Sequence, residues 1–355
     1  MEYKLLDGEE INQNIFTLRL RNVEGNEKFT PSRAFKRTNS DPDRAYFTEV
    51  FISLRNDEMK DGANYDRFDT TIEAKLKKKE VTDNINIISF YGDNQTEIEK
   101  LSKFEDLGLL TNFEGLFNDH LIALPYSLKL QNSEFNNIFS NIRSAFDHFV
   151  STLSTENIFG YLPVYARYSE FKSYFDFYSG KKLGKVRRSD ETYNAIPLLI
   201  DFKRANPDGY KRSVAYLLQM KKEYMKEGYY PIYYAANVSR PRIGKNTSIA
   251  IAKEFLLSFV GFDIIGASQA VPPHKGGGGE GKKIRFDLER FNYSYTGERE
   301  SGYKGDKTKS AIFENQTKYL HEIHEKTLIN PKYVIEELVR RPDAKNYIET
   351  LDSRK

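Results

Sequence analysis

The sequence predicts an α/β protein, a (β/α)8 TIM-type barrel carrying a polar N-terminal extension and a C-terminal helical appendage. Short apolar runs rich in β-branched and aromatic residues alternate, from about residue 85 onward, with longer segments of helical periodicity, the signature of parallel βα units. The runs recur at roughly 30 to 40 residues, and no early G-x-G-x-x-G is present, which favours a closed barrel over an open doubly wound sheet. A chain of 355 residues with 39% hydrophobic and 14% aromatic content is large enough to bury such a core.

Taken in order, residues 1–47 are polar and include FTPSRAFKRTNSDPDR, whose Pro, Ser, Asn and Asp content reads as loop and lid. Strands are expected at 50–54 (VFISL), 86–90 (NIISF), 121–126 (LIALPY), 159–166 (FGYLPVYA), 196–202 (IPLLIDF), 230–237 (YPIYYAAN) and 262–267 (FDIIGA). Between them, Phe135, Ile138, Phe139, Ile142, Phe146 and Phe149 recur at spacings of three and four, predicting a helix over 133–153. Similar patterns run over 210–227 and 249–260. The charged stretch 60–82, with KLKKKE, reads as a solvated helix face. Beyond Ala270 a Gly-rich loop leads into IRFDLERF (284–291), which alternates as a strand or extended arm, and one or two polar helices follow from 310 to 351. These readings divide the chain into an extension or lid (1–47), a barrel (48–285) and a C-terminal arm with helices (286–355).

Composition removes several classes of function. With no cysteine, disulfides, thiolate zinc sites and a cysteine nucleophile are excluded, leaving only His and carboxylates as metal ligands. No metal or cofactor is expected. No apolar run approaches the roughly 20 residues needed to span a bilayer, and the opening MEYKLLDGEE is acidic where a signal peptide is basic and then apolar, so a cytoplasmic location without membrane contact is expected. The net charge of +3 hides an asymmetry: residues 1–150 hold 19 Lys and Arg against 26 Asp and Glu, and residues 151–355 hold 35 against 25. The basic half is the place to look for an anionic partner.

Parallel barrels build their sites at the C-terminal ends of the strands. Those positions hold Asp93, Arg167, Asp201 with Lys203 and Arg204, and Arg240 with Arg242. The loops 239–245 (SRPRIGK) and 272–285 (PPHKGGGGEGKKIR) are expected to put Arg240, Arg242, Lys245, His274, Lys275, Lys282, Lys283 and Arg285 on one rim, a footprint suited to phosphates. KKLGKVRR (181–188) follows a helix and belongs at the opposite end or on the side. Gly276, Gly281 and Lys282 fit G-x-x-x-x-G-K, but the hydroxyl residue is replaced by Lys283, eight residues separate the loop from its strand, and IRFDLERF is not a helix start. That excludes a nucleoside triphosphate loop. His321 and His324 stand three apart, not the four of H-E-x-x-H, among charged neighbours, and read as a solvated helix face.

From Gly261 onward the chain resembles the tRNA-guanine transglycosylase superfamily, which includes the enzymes that insert 7-deazaguanines into DNA. GFDIIG (261–266) is similar to that family's G-V-D-x-F-D strand, a Gly- and basic-rich loop follows, and Arg285 to Glu289 (RFDLE) is similar to its R-x-x-L-E arm. Tyr293 and Tyr295 in FNYSY stand where the family has C-x-C, and Glu314–Asn315 where it has the His-Asn that opens its closing helix. The resemblance covers roughly 60 residues and implies a barrel that exchanges guanine for a 7-deazaguanine in DNA or tRNA through a carboxylate nucleophile. Two departures stand out. Gly266 occupies the nucleophile's position, and Tyr293, Tyr295 and Glu314 cannot form the family's zinc site, so a shared fold must be held there by packing.

Three readings follow. In the first, a divergent base-exchange transglycosylase takes its nucleophile and general acid/base from Asp263, Asp201 or Asp93, one carboxylate ionised and one protonated. In the second, a non-catalytic paralogue binds nucleic acid or a partner subunit, as a homo- or heterodimer. In the third, an unrelated barrel enzyme acts on a small anionic substrate.

Overall fold

The computed structural model describes residues 2–5, 18–21, 27–36, 47–53, 85–92, 121–127, 135–152, 158–181, 183–188, 191–203, 205–241, 243, 249–266, 282–299, 305–330 and 332–352. Eight parallel strands close into a TIM-type barrel: β4 (Ser32–Lys36), β5 (Phe47–Ser53), β6 (Ile85–Gly92), β7 (Leu121–Ser127), β8 (Ile158–Pro163), β10 (Glu191–Asp201), β11 (Tyr229–Ala236) and β13 (Ile264–Ile265). Closure comes from β13, which pairs on one side with β11 (Tyr234 beside Ile264) and on the other with β4 (Ile265 beside Arg33).

Strands such as IPLLID of β10 and YPIYYAA of β11 form where the sequence is apolar on both faces, because they lie between the barrel lumen and a helix layer. Alternation fixes the two faces. Tyr233 turns outward, its hydroxyl donating 2.7 Å to the Leu217 carbonyl of α3 (Lys211–Lys226), so Tyr234 turns into the lumen. Gly160 faces outward against Tyr178 of α2 (Tyr168–Ser179), so Phe159 and Tyr161 face inward. The Phe159 and Tyr234 rings accordingly meet across the interior, centroids 6.0 Å apart. A further helix, α1 (Phe135–Thr152), buries Ile142, Phe146 and Phe149, as its spacing predicts, and leaves Ser144 and Asp147 exposed.

A ribbon extends the barrel wall at the start of β10. There β9 (Lys185–Arg188) lies antiparallel to Glu191–Asn194 of β10 and is followed by β1 (Glu2–Leu5), β2 (Leu18–Arg21) and β3 (Glu27–Phe29). The basic KVRR strand is thus at the N-terminal end of β10, away from the strand C-termini.

Four sequence expectations change. The barrel begins at β4, inside the segment read as an N-terminal lid, so its boundary is not residue 48; the charged side chain that disguises this strand, Arg33, is fully covered, its guanidinium 4.4 Å from the Phe313 ring. Residues 249–260 are not one helix. They form β12 (Ile249–Ile251), the single turn α4 (Lys253–Leu256) and a 3-10 turn over Leu257–Phe259. Residues 282–285 do not close the barrel; they start β14 (Lys282–Asp287), which pairs antiparallel with β15 (Asn292–Arg299) and through it with β12 in a separate three-stranded sheet. The C-terminus holds three helices: α5 (Gly305–Ile329), α6 (Tyr333–Val339) and α7 (Pro342–Asp352).

Aromatic packing joins this appendage to the barrel. Phe255 has ring neighbours Phe259, Phe286, Phe291 and Tyr319 at centroid distances of 5.6, 5.3, 5.2 and 6.4 Å. Arg341 lies over Phe291 at 4.2 Å and pairs with Glu337 at 2.6 Å, so its charge and its stem both anchor the last helices.

Candidate active site at the barrel mouth

Two carboxylates turn into the lumen, Asp201 from the C-terminal end of its strand and Glu49 from the first half of its own. Asp201 is the last residue of β10, pairs with Pro163 of β8 and Ala236 of β11, and is 1% exposed. Its Oδ2 accepts the Tyr161 hydroxyl at 2.9 Å; its Oδ1 accepts the Lys203 N–H at 2.9 Å and Asn237 Nδ2 at 3.0 Å. Lys203 and Asn237 have φ of 48° and 55°, a left-handed backbone that costs a non-glycine residue about 1 kcal/mol or more and that here lets both chains turn back onto one carboxylate. Burial pushes the Asp201 carboxyl up, outweighing the hydrogen bonds that favour its charge, so it holds a proton more readily than an ordinary Asp. Around it, Tyr161 and Tyr165 are pushed up by the same burial and by the Asp201 charge, and Lys203 Nζ stands 3.8 Å over the Tyr165 ring.

The second carboxylate, Glu49, comes from β5, level with Ile87 of β6, and is 1% exposed. It receives the hydroxyl of Tyr234, which reaches it from β11 across the lumen. A Cβ built on Gly266 would collide with this Glu49 carboxylate and lie 2.9 Å from Tyr234 Cε2 and 3.0 Å from the Ala235 carbonyl. Glu49 therefore occupies the room that a side chain at the end of β13 would need.

Asp263 is placed elsewhere. It precedes β13 on the outward face, under α3, where its Oδ2 pairs with Lys221 Nζ at 3.0 Å and accepts the Tyr233 N–H at 2.7 Å. Lys221 also donates to the Gly261 carbonyl at 2.9 Å. Burial pushes the carboxyl up and the ammonium down, against their mutual attraction. Asp263 and Asp201 thus lie on opposite sides of the barrel wall, and the sequence expectation of a shared site for them is not met. Asp93 lies outside the described residues, as do Arg242, Lys245, His274 and Lys275.

Of the remaining expected phosphate contacts, Arg240 is half-buried, 5.7 Å over the Tyr293 ring, and Arg285 is exposed on β14; Lys282 and Lys283 lie on the same strand, their side chains outside the described set. These strand residues belong to the second sheet and not to a barrel loop.

The positions that resemble zinc ligands do not converge. Tyr295 is 39% exposed, and Glu314 pairs with Lys318 on the surface of α5. Tyr293 is buried: its hydroxyl donates to Glu254 of α4 and accepts Gln316 Nε2 of α5 at 3.0 Å, while Arg33 adds its charge from β4. Hydrogen bonds and packing hold the junction of barrel and appendage. Among the described residues no three His, Asp or Glu side chains gather as metal ligands, and His321 pairs with Glu325 along its own helix.

Sequence reasoning missed Glu49, Tyr161, Asn237 and Arg33. The available signal was an ionisable residue inside an apolar strand pattern, as in FTEVFIS (47–53). Comparison with known families and with curated proteins gives no match to any family model or any curated protein. Among the described residues no helix is long and apolar enough to cross a membrane.

Proposed function

We propose that this chain is a divergent base-exchange transglycosylase of nucleic acid, replacing guanine by a 7-deazaguanine in DNA or tRNA, with Glu49 and Asp201 as its carboxylate pair. The observation that carries the reading is the Glu49 carboxylate lying in the space left by Gly266. The resemblance implies a nucleophile at the end of that strand; Gly266 stands there instead, and Glu49, from the next strand but one, brings a carboxylate to the same space. Asp201, pushed toward its protonated form, suits the general acid.

In the first step the Glu49 carboxylate bonds to the ribose C1′, the C1′–N bond to guanine breaks, and the Asp201 proton goes to the departing base. In the second, the incoming base nitrogen bonds to C1′, the ester bond to Glu49 breaks, and the proton of the incoming base returns to Asp201. Tyr161, Asn237 and the Lys203 N–H position Asp201, and Tyr234 positions Glu49.

One observation favours the non-catalytic reading: Asp201 already accepts three donors, which suits a carboxylate that ties together the ends of β8, β10 and β11. Incubation of the protein with duplex DNA or tRNA and radiolabelled guanine or 7-deazaguanine separates the two. Incorporation that falls by about 10²-fold or more in Glu49→Gln and in Asp201→Asn supports exchange. Absence of incorporation into either nucleic acid, or full activity in Glu49→Gln, sinks it.

A further inference from the structure

On the outer wall, α1 and α2 bound an open groove of about 590 Å³. It starts at Tyr168, the first residue of α2, a few residues beyond the end of β8 where Pro163 pairs with Asp201. From α1 comes Arg143, whose guanidinium lies 4.1 Å over Phe139 and 4.9 Å over Phe177, with Nη2 donating to Ser173 at 3.0 Å. Two rings and a hydroxyl hold this cation in one orientation, and its buried Nε has no partner. Lys172 stands exposed along the same groove beside Ser169.

Neither Arg143 nor Lys172 has a carboxylate partner among the described residues. The one acid in the lining, Asp176, accepts the Tyr224 hydroxyl at 2.5 Å. A groove with two cations outside any ion pair against one carboxylate, serine hydroxyls and the 49%-exposed Tyr168 ring at one end has the make-up of a single-stranded nucleic-acid track: phosphates against the cations, a base against the aromatic ring.

We infer that the α1–α2 groove binds the single-stranded segment flanking the nucleotide at the barrel mouth, its phosphodiesters on Arg143 and Lys172. This rests on the nucleic-acid reading of the mouth, since continuity with that site gives the groove its occupant.

The test is fluorescence anisotropy of the full chain with fluorescein-labelled dT12 and rU12 over a salt series, comparing wild type with Arg143→Gln, Lys172→Gln and the double variant. Each phosphate neutralised on a single strand contributes a salt slope of about 0.7, so the double variant is expected to lose about 1.4 of slope and about ten-fold in affinity at moderate salt. Lys172 is solvent-exposed, so Lys172→Gln remains informative if Arg143→Gln unfolds. Unchanged slope and affinity, or no binding by the wild type, overturns the inference. Base exchange that persists alongside unchanged oligonucleotide binding in the variants rejects the groove and leaves the exchange reading standing. Variant-sensitive binding in a protein that exchanges no base upholds the groove and rejects the exchange reading.

Discussion

The sharpest quantitative expectation concerns Asp263, which sequence alone offers as a nucleophile and the fold makes one half of a buried ion pair. Its carboxylate and the Lys221 ammonium are 2% and 3% exposed and 3.0 Å apart, each with one main-chain partner besides. Asp263→Asn keeps an oxygen for the Tyr233 N–H but leaves the ammonium without a counter-charge. Lys221→Met leaves the carboxylate with only that N–H. Breaking a buried pair from one side costs about 3–5 kcal/mol.

The unfolding entropy is about 2.1 cal/mol/K per residue, or about 0.75 kcal/mol/K for the whole chain, so each single variant should melt about 4–7 °C lower. The Lys221→Met, Asp263→Asn double variant has no charge left to strand and should recover about 2–3 kcal/mol relative to the sum of the singles. Urea and thermal unfolding followed by circular dichroism measure all four corners of the cycle. Strict additivity, or singles that cost under about 1 kcal/mol, would refute the pairing argument. Loss of base exchange in folded Asp263→Asn would refute its assignment to the scaffold.

Three other expectations follow. Asp201 has a raised carboxyl in the folded state, so above the ordinary Asp range the folded chain binds the extra proton, and the stability this group supplies is full at acid pH and lost as pH rises through the folded value. The near-isosteric Asp201→Asn should therefore gain on the wild type in urea midpoints taken from pH 4 upward; a constant difference across that range would contradict the shift. Gly266→Ala should cost about 1–3 kcal/mol by overpacking and displace Glu49, whereas adding Glu49→Ala should restore much of the melting temperature but no exchange activity. Tyr293→Phe removes the hydroxyl shared by Glu254 and Gln316 and should cost about 1–3 kcal/mol, seen as earlier proteolytic release of the C-terminal helices.

What was legible in the sequence was whatever local pattern determines. IPLLID and YPIYYAA read as strands because both faces are apolar, and α1 reads as a helix because its phenylalanines recur on one side. The strand SRAFK did not. Arg33 breaks the apolar run, and what covers it is Phe313, brought in by a helix from the far end of the chain. Tertiary contact overrides local signal there, as it does in 249–260, where helical spacing serves a strand, a turn and a 3-10 segment that seat the second sheet.

The same distinction governs the site. Asp201 was accessible to sequence reasoning because strand-end position is a local property, and Asp263 was misleading for the same reason, since alternation decides which side of the wall a carboxylate faces and a one-residue step reverses it. For Glu49 the local pattern offers only a charge inside an apolar strand, not its setting: its hydroxyl partner is 185 residues away, and the space it fills is defined by a side chain that Gly266 lacks. A motif comparison aligned on β13 sees only an absent carboxylate. Catalysis, however, depends on the point in space at which an oxygen meets the substrate, and in a barrel every neighbouring strand ends close to that point. On the exchange reading proposed above, the glycine on one strand and the glutamate on another act together, and adding a β-carbon at the first should disable the second.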